Sequence, residues 1–160
     1  MTKLADISSV SADKVENLLD DAFGRDRQKR TAYLLRADMP VIDHLSFAVI
    51  DDGVVVGNIQ CWPVSIAGAP LILVGPVAVS SQRQNQGIGR QLMHATLNAT
   101  LSADPPLVMI GDPEYYGRFG FVADETGGWT LPGPWEADRL LLRNPDATRL
   151  PKMGLLGPRL

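Results

Sequence analysis

The stretch LILVGPVAVS, residues 71–80, restricts the fold more than any other part of the chain. Apart from Gly75, Pro76 and Ser80 it is hydrocarbon at every position, so as a strand it presents apolar side chains on both faces. Such a strand belongs in the middle of a sheet that other elements cover on each side. Proline cannot donate to a ladder and glycine packs nothing, so Gly75-Pro76 predicts a bulge or splay within it. A polar turn follows at SSQRQNQGIGRQLM, residues 80–93, and then a helical pattern in which Ile88, Leu92, Ala95 and Ala99 share one face. Strand, glycine-containing loop and helix are therefore the centre around which the remainder is read.

Upstream, Ser11 is placed to cap a helix with Val15, Leu18, Leu19, Ala22 and Phe23 at helical spacing, and Gly24 to end it. RDRQKRTAYLLRAD reads as helix-prone and basic, either a solvated face or a cleft lip that attracts an anion. LSFAVI, DDG and VVVGNIQCW predict a hairpin turning at Asp52-Gly53, with Pro63 ending or bending its second strand. Gly68-Ala69-Pro70 turns the chain into the apolar run. Downstream, LVMI is a short buried-type strand, and Asp112 and Pro113 open a brief helix, EYYGRF, that stops at Gly120. FVA and RLLLR read as extended. With 160 residues, one core and one domain over 1–143 are expected, with an irregular tail over 144–160. The fold class is mixed α/β built on one sheet.

The loop can act in two ways. Glycines at 87 and 89 either just open a helix, as a turn requires, or let a ligand approach the backbone. The unpaired N–H groups and positive dipole end of a helix N-terminus suit a pyrophosphate, with Arg83 and Arg90 adding charge. The dinucleotide pattern G-x-G-x-x-G lacks its third glycine here, and no Gly-Lys-Ser/Thr of a Walker loop is present.

Gln84-Asn85-Gln86-Gly87-Ile88-Gly89 resembles the acetyl-CoA-binding motif of the GNAT superfamily of N-acetyltransferases, Gln/Arg-x-x-Gly-x-Gly/Ala after a hydrophobic strand. Val77 and Val79 match the alternating apolar positions of that strand, while Ser81 stands where the family usually carries proline. About 30 residues on, GDPEYYGRFGF resembles the family's FYxRFGF-type segment. The resemblance covers roughly 45–122 and implies the GNAT fold: a central, mostly antiparallel sheet splayed at the cofactor strand and flanked by helices.

It also implies a mechanism. Gln84, Asn85, Gln86, Gly87, Ile88, Gly89 and Arg90 would hold the pyrophosphate of acetyl-CoA, and Val77, Ala78 and Val79 would pair with the pantetheine arm. The Val79 N–H would polarise the thioester carbonyl, a donor worth ~3 kcal/mol in related settings. Tyr116 would protonate the departing coenzyme A thiolate, since a phenol of pKa ~10 keeps its proton at neutral pH. Tyr115 points about 100° away on a helix and is read as packing. An asparagine that the family often carries seven residues before the tyrosine is Met109 here. His44, Asp112 and Glu114 are base candidates by residue type alone; His94 reads as surface and Cys61 as buried filler. Trp62, Trp129 and Trp135 are either packing or walls of an acceptor pocket.

A net charge of −3 argues against nucleic acid as a partner, and a single cysteine offers neither a disulfide nor a metal cluster. No membrane partner and no metal are expected, and a cytoplasmic setting follows from the absence of a signal-like apolar segment. The expected reaction is acetyl transfer from acetyl-CoA to a small-molecule or peptide amine in a ternary complex, releasing coenzyme A. The rival is a non-catalytic acyl-CoA-binding or sensor domain. A homodimer is open, because the tail after Arg143 has the length to reach a partner subunit.

Overall fold

The computed structural model describes residues 1–160. The protein is mixed α/β, with a mostly antiparallel sheet flanked by helices, as the apolar run at 71–80 requires. Two compact units are distinguished: 1–27, 41–61 and 76–102 in one, and 28–40, 62–75 and 103–160 in the other.

In the first unit, helix α1 (Ala12–Phe23) buries Val15, Leu18 and Leu19, a spacing that lines one helical face. The Ser11 hydroxyl accepts the Lys14 N–H, and Gly24, at φ 90°, stops the helix. That face packs with Ile7, Ala48, Val55 and Ala78. Strand β1 (Thr2–Asp6), an element with no signal in the sequence, pairs antiparallel with β2 (Phe47–Asp51). The predicted hairpin joins β2 to β3 (Val54–Ile66), with Asp52 at φ 51° and Gly53 at φ 77°. Two positive φ values match the turn to the strand twist. Helix α3 (Ile88–Ala99) buries Ile88, Leu92, Met93 and Thr96, whereas Ala95 and Ala99 are only half-buried. The buried Thr96 hydroxyl donates to the Leu45 carbonyl at 2.8 Å.

The basic stretch departs from expectation. Arg27 is 4% exposed, its guanidinium bound by Glu16 and Asp20 of α1, so it is a buried, neutralised charge and not part of a solvated face. Residues 27–29 form a single 3₁₀ turn, and Arg30 is extended at φ −68°, ψ 147°, so helix resumes only over α2 (Thr31–Leu35).

In the second unit the chain turns at Ala67-Gly68, φ 46° and 86°, one residue earlier than Gly68-Ala69-Pro70 suggested, into β4 (Ala69–Val79). Pro63 does not end β3, which runs on to Ile66. The missing N–H falls between the stretch paired with β2, which stops at Ile59, and the stretch paired with β8 (Gly154–Pro158), which starts at Val64. β4 is parallel to β5 (Leu107–Ile110), with partners Ile72↔Leu107 and Leu73↔Val108, and β5 is antiparallel to β7 (Leu140–Arg143). Helix α4 (Pro113–Tyr116) is capped by the Asp112 carboxylate, which accepts the Glu114 N–H at 3.0 Å; a 3₁₀ turn then ends at Gly120, φ 87°. FVA makes one bridge, Val122↔Leu142.

The tail over 144–160 is irregular only as far as residue 153 and then forms a strand. It carries β8, antiparallel to β3 and parallel to β6 (Trp129–Thr130), and Arg159 donates to the carbonyls of Val64, at 3.1 Å, and Leu71. Glycine at 154 and 157 and proline at 158 hide this strand from any propensity reading.

Candidate functional site

β4 runs out at Val79 into a 3₁₀ turn, Ser81–Arg83, and α3 begins at Ile88. Side chains bind the loop between them to its surroundings. Gln84 Nε2 donates to the carbonyls of Val79 (2.9 Å) and Ser80 (3.3 Å). Arg83 donates through Nη1 to Asp51 at 2.7 Å and through Nε to Gln86 Oε1 at 2.9 Å. The chain's terminal ammonium and then Arg83 hold the Asp51 carboxyl below its ordinary value. The Ser81 N–H and hydroxyl each donate at 3.1 Å to Asp21 of α1. Arg83, read as a flanking charge for phosphate, is thus committed to Asp51; Arg90 is exposed.

The backbone is left available. Asn85 and Gly87 have positive φ, 64° and 81°, and Gly87 is the residue before the first turn of α3. No side chain caps that turn, no acidic residue lies in it, and a Cβ on Gly87 would meet nothing within 4 Å. Ile88 is 4% exposed and points into the core, so what it offers outward is its N–H alone. Gln84, Asn85, Gln86 and Gly87 are exposed and Gly89 is half-buried. An open helix start with unpaired N–H groups is an anion site by its own electrostatics.

β4 runs uninterrupted from Ala69 to Val79 through Gly75, at φ 145°, and its pairing with β5 reaches only to Leu73. Two side chains of β3 hold its carbonyls: the Trp62 indole N–H donates to Gly75 O at 2.7 Å, and Asn58 Nδ2 to Pro76 O at 3.4 Å. Trp62 is itself stacked, the Arg36 guanidinium carbon lying 3.9 Å from its ring centre and 4.3 Å from that of Tyr33. Asn58 is wholly buried and its Oδ1 has no partner. Beyond Gly75 the Ser80 N–H donates to Val56 O of β3 at 2.9 Å. Strand alternation then turns the N–H groups of Val77 and Val79 away from β3. Ala78 faces the other way, into the α1 cluster, so its side chain serves the core.

In the second unit, Gly111 lets the Tyr116 ring lie against the backbone: a Cβ there would sit 2.7 Å from two ring carbons. Tyr115 meets Tyr116 edge-on at 4.9 Å and carries Arg118 over its own ring at 4.7 Å, so it is packing, as read. Burial, then Tyr115 and Asp112, push the Tyr116 phenol up to about 12, against a small opposing effect of Arg139. Met109 is buried at 2% exposure. Among the base candidates, His44 is exposed in a 3₁₀ turn, Asp112 caps α4, and Glu114 is exposed. His94 is exposed on α3. Cys61 is wholly buried, its thiol donating to Leu45 O at 3.4 Å. Trp129 is buried with its N–H on Pro151 O at 2.8 Å, and Trp135 is exposed. No group of three or more His, Cys, Asp or Glu side chains is arranged to hold a metal ion, and no helix is long and apolar enough to cross a membrane.

Sequence reasoning missed Asp21, Asp51 and Asn58. Only Asn58 left a trace, as an amide in the otherwise apolar run VVVGNI.

Residues 43–123 match the family model described as an acetyltransferase (GNAT) domain. The N-acetyltransferase YhbS of Escherichia coli K12 is 33% identical over 115 residues, 70% of this chain and 68% of YhbS. The crystal structure of Escherichia coli YhbS in complex with CoA superposes with a TM-score of 0.75 at 23% identity, covering 99% of this chain and 89% of that one. A GNAT family acetyltransferase of Brucella melitensis, crystallised with acetyl-CoA, gives a TM-score of 0.59 at 23% identity over 93% of this chain and 99% of its own.

Proposed function

The chain belongs to the GNAT family of acetyltransferases, and on that premise we propose that it moves the acetyl group of acetyl-CoA to a primary amine by direct attack in a ternary complex. The observation that carries the reading is the uncapped start of α3 behind Gly87, at the end of a strand whose pairing with β5 stops at Leu73. The relatives that hold CoA and acetyl-CoA in crystals support the choice of donor.

The N–H groups of Gly87, Ile88, Gly89 and Arg90 bind the diphosphate, with the Arg90 side chain as a further cation. The N–H groups of Val77 and Val79 bind the pantetheine arm, and that of Val79 faces the thioester carbonyl. Bound acetyl-CoA supplies an activated acyl group; the chain supplies orientation and a proton. Tyr116 is the proton donor. Its raised pKa keeps the phenol neutral at working pH, so the proton is on hand as the carbon–sulfur bond opens. The acceptor is a small-molecule or peptide amine.

Tyr116 as a weak acid and Met109 in place of an asparagine favour a second reading, a binder of acyl-CoA without turnover. Calorimetric titration with acetyl-CoA, followed by a coenzyme A release screen over chemically distinct amines, separates the two. Binding with release on at least one amine supports transfer. Binding with none across the panel supports the binder, and no binding sinks both.

A further inference from the structure

We infer that Asp21 is a positioning residue for the glycine turn: from α1 it clamps Ser81 and holds the loop in the shape that binds diphosphate. The inference rests on the acetyl-CoA reading above for its ligand, but not for its geometry. Both carboxylate oxygens of Asp21 are used, Oδ2 by the Ser81 N–H and Oδ1 by the Ser81 hydroxyl, each at 3.1 Å. A two-point contact fixes orientation as well as distance. Its post is firm, because Leu18 and Leu19 of the same helix are 5% and 1% exposed and Arg27 ties together Glu16 and Asp20 beside it. Asp21 and Ser80 line an open groove of about 300 Å³ with Lys14, Leu18 and Val54. With open space beside it, the join between helix and loop depends on hydrogen bonds.

The rest of the loop is anchored elsewhere. Arg83 is held by Asp51 and Gln84 by the end of β4, so the Asp21 clamp governs the upstream residue of the 3₁₀ turn. Two effects of Asp21 oppose each other. Its negative charge repels an incoming diphosphate, while its hydrogen bonds hold the loop that receives one. Removing the side chain tests which prevails, because the two predict changes of opposite sign.

The geometry also supplies a rescue that contains no carboxylate. Ser80 lies at φ −50°, ψ 139°, and its ψ falls in the range that a residue before proline requires. Ser81 is the first residue of its turn, and its N–H donates to Asp21 and to no backbone carbonyl. Proline suits such a position, since it fixes φ and needs no acceptor. Ser81→Pro should therefore replace the clamp by a covalent restraint.

The test uses the whole chain in four forms: wild type, Asp21→Ala, Ser81→Pro and the double variant. Two readouts are taken, hydrogen exchange across 82–90 and the Kd for coenzyme A. Asp21→Ala is expected to speed exchange in that segment and weaken coenzyme A binding by about fivefold, the worth of one ordinary net hydrogen bond. The double variant is expected to return both to within about twofold of wild type, a noise-sized difference. Unchanged exchange in Asp21→Ala, tighter coenzyme A binding, or no recovery with proline each overturns the inference. If wild type fails to bind coenzyme A, the acetyl-CoA reading falls, and the exchange data still decide the clamp on their own.

Discussion

Gly57 sits in β3 opposite the first turn of α3, and an added methyl there probes how the anion cradle is seated. A Cβ at 57 would lie 2.5 Å from Ile88 Cγ2 and 3.1 Å from Leu92 Cδ1. Carbon atoms settle at about 3.5–4 Å, so the gap at Ile88 falls short by about 1 Å. Cγ2 is bonded directly to the Ile88 Cβ, and a β-branched residue in a helix has essentially one χ1 rotamer. The side chain cannot swing clear, so the helix start must retreat. Overpacking of this kind costs about 1–3 kcal/mol, equivalent to a fall of roughly 3–10 °C in Tm for a chain of this size. The same retreat carries the N–H groups after Gly87 away from a bound diphosphate, and an error of about 1 Å in such contacts is worth on the order of tenfold in affinity. Urea denaturation and calorimetry with coenzyme A measure the two effects on Gly57→Ala. A double-mutant cycle with Ile88→Ala, which deletes the obstructing methyl, isolates the cause. Ile88→Ala alone should cost about 2–4 kcal/mol, and the pair should be more stable than the sum by at least about 1 kcal/mol. An additive cycle, or Gly57→Ala with wild-type stability and affinity, refutes the reasoning.

Tyr116→Phe should lower turnover by about 10²-fold, the lower end of general-acid effects, while the Kd for acetyl-CoA moves less than about twofold; steady-state kinetics with a responsive amine decides it. Trp62→Phe keeps a ring between Arg36 and the strand but leaves Gly75 O without its donor, so coenzyme A should bind about fivefold more weakly and ADP, a probe of the loop alone, unchanged. Titration with both ligands checks this, and equal weakening of both refutes it. The Tyr116 phenol is raised from 10.0 to about 12, so its stabilisation is complete below pH 10 and is lost as pH climbs toward 12. The urea midpoint of wild type should fall more steeply across that window than that of Tyr116→Phe.

The centre of this protein was legible because local rules and tertiary demand agree there. The run at 71–80 could only be a covered strand, Gly75-Pro76 could only weaken its pairing, and Ser11, Gly24, Asp112 and Gly120 cap helices by side-chain or backbone chemistry that acts within a few residues. The misses share the opposite property. β8 is a strand because β3 has an unfilled edge at 64–66, which no pattern in its own glycines and proline announces. Arg27 leaves the helical path because two acids on another helix receive it. The residues that shape the candidate site behave likewise. Gly87 was readable, but Asp21 clamps a serine 60 positions away, and Asp51 captures an arginine that looked free for phosphate. Partners that distant in sequence are chosen by the fold.

The antiparallel partnership of Val64 with Pro158 has a bearing on biosynthesis. Until residues 154–158 have left the ribosome, the stretch 64–66 keeps an unsatisfied backbone rim, and Arg159 is not there to occupy the carbonyls of Val64 and Leu71. Bare strand rims recruit other chains, and contacts that span so much sequence form late. A nascent chain stalled after Arg143 therefore carries a bare strand rim at 64–66, and synthesis of residues 154–159 is what covers it.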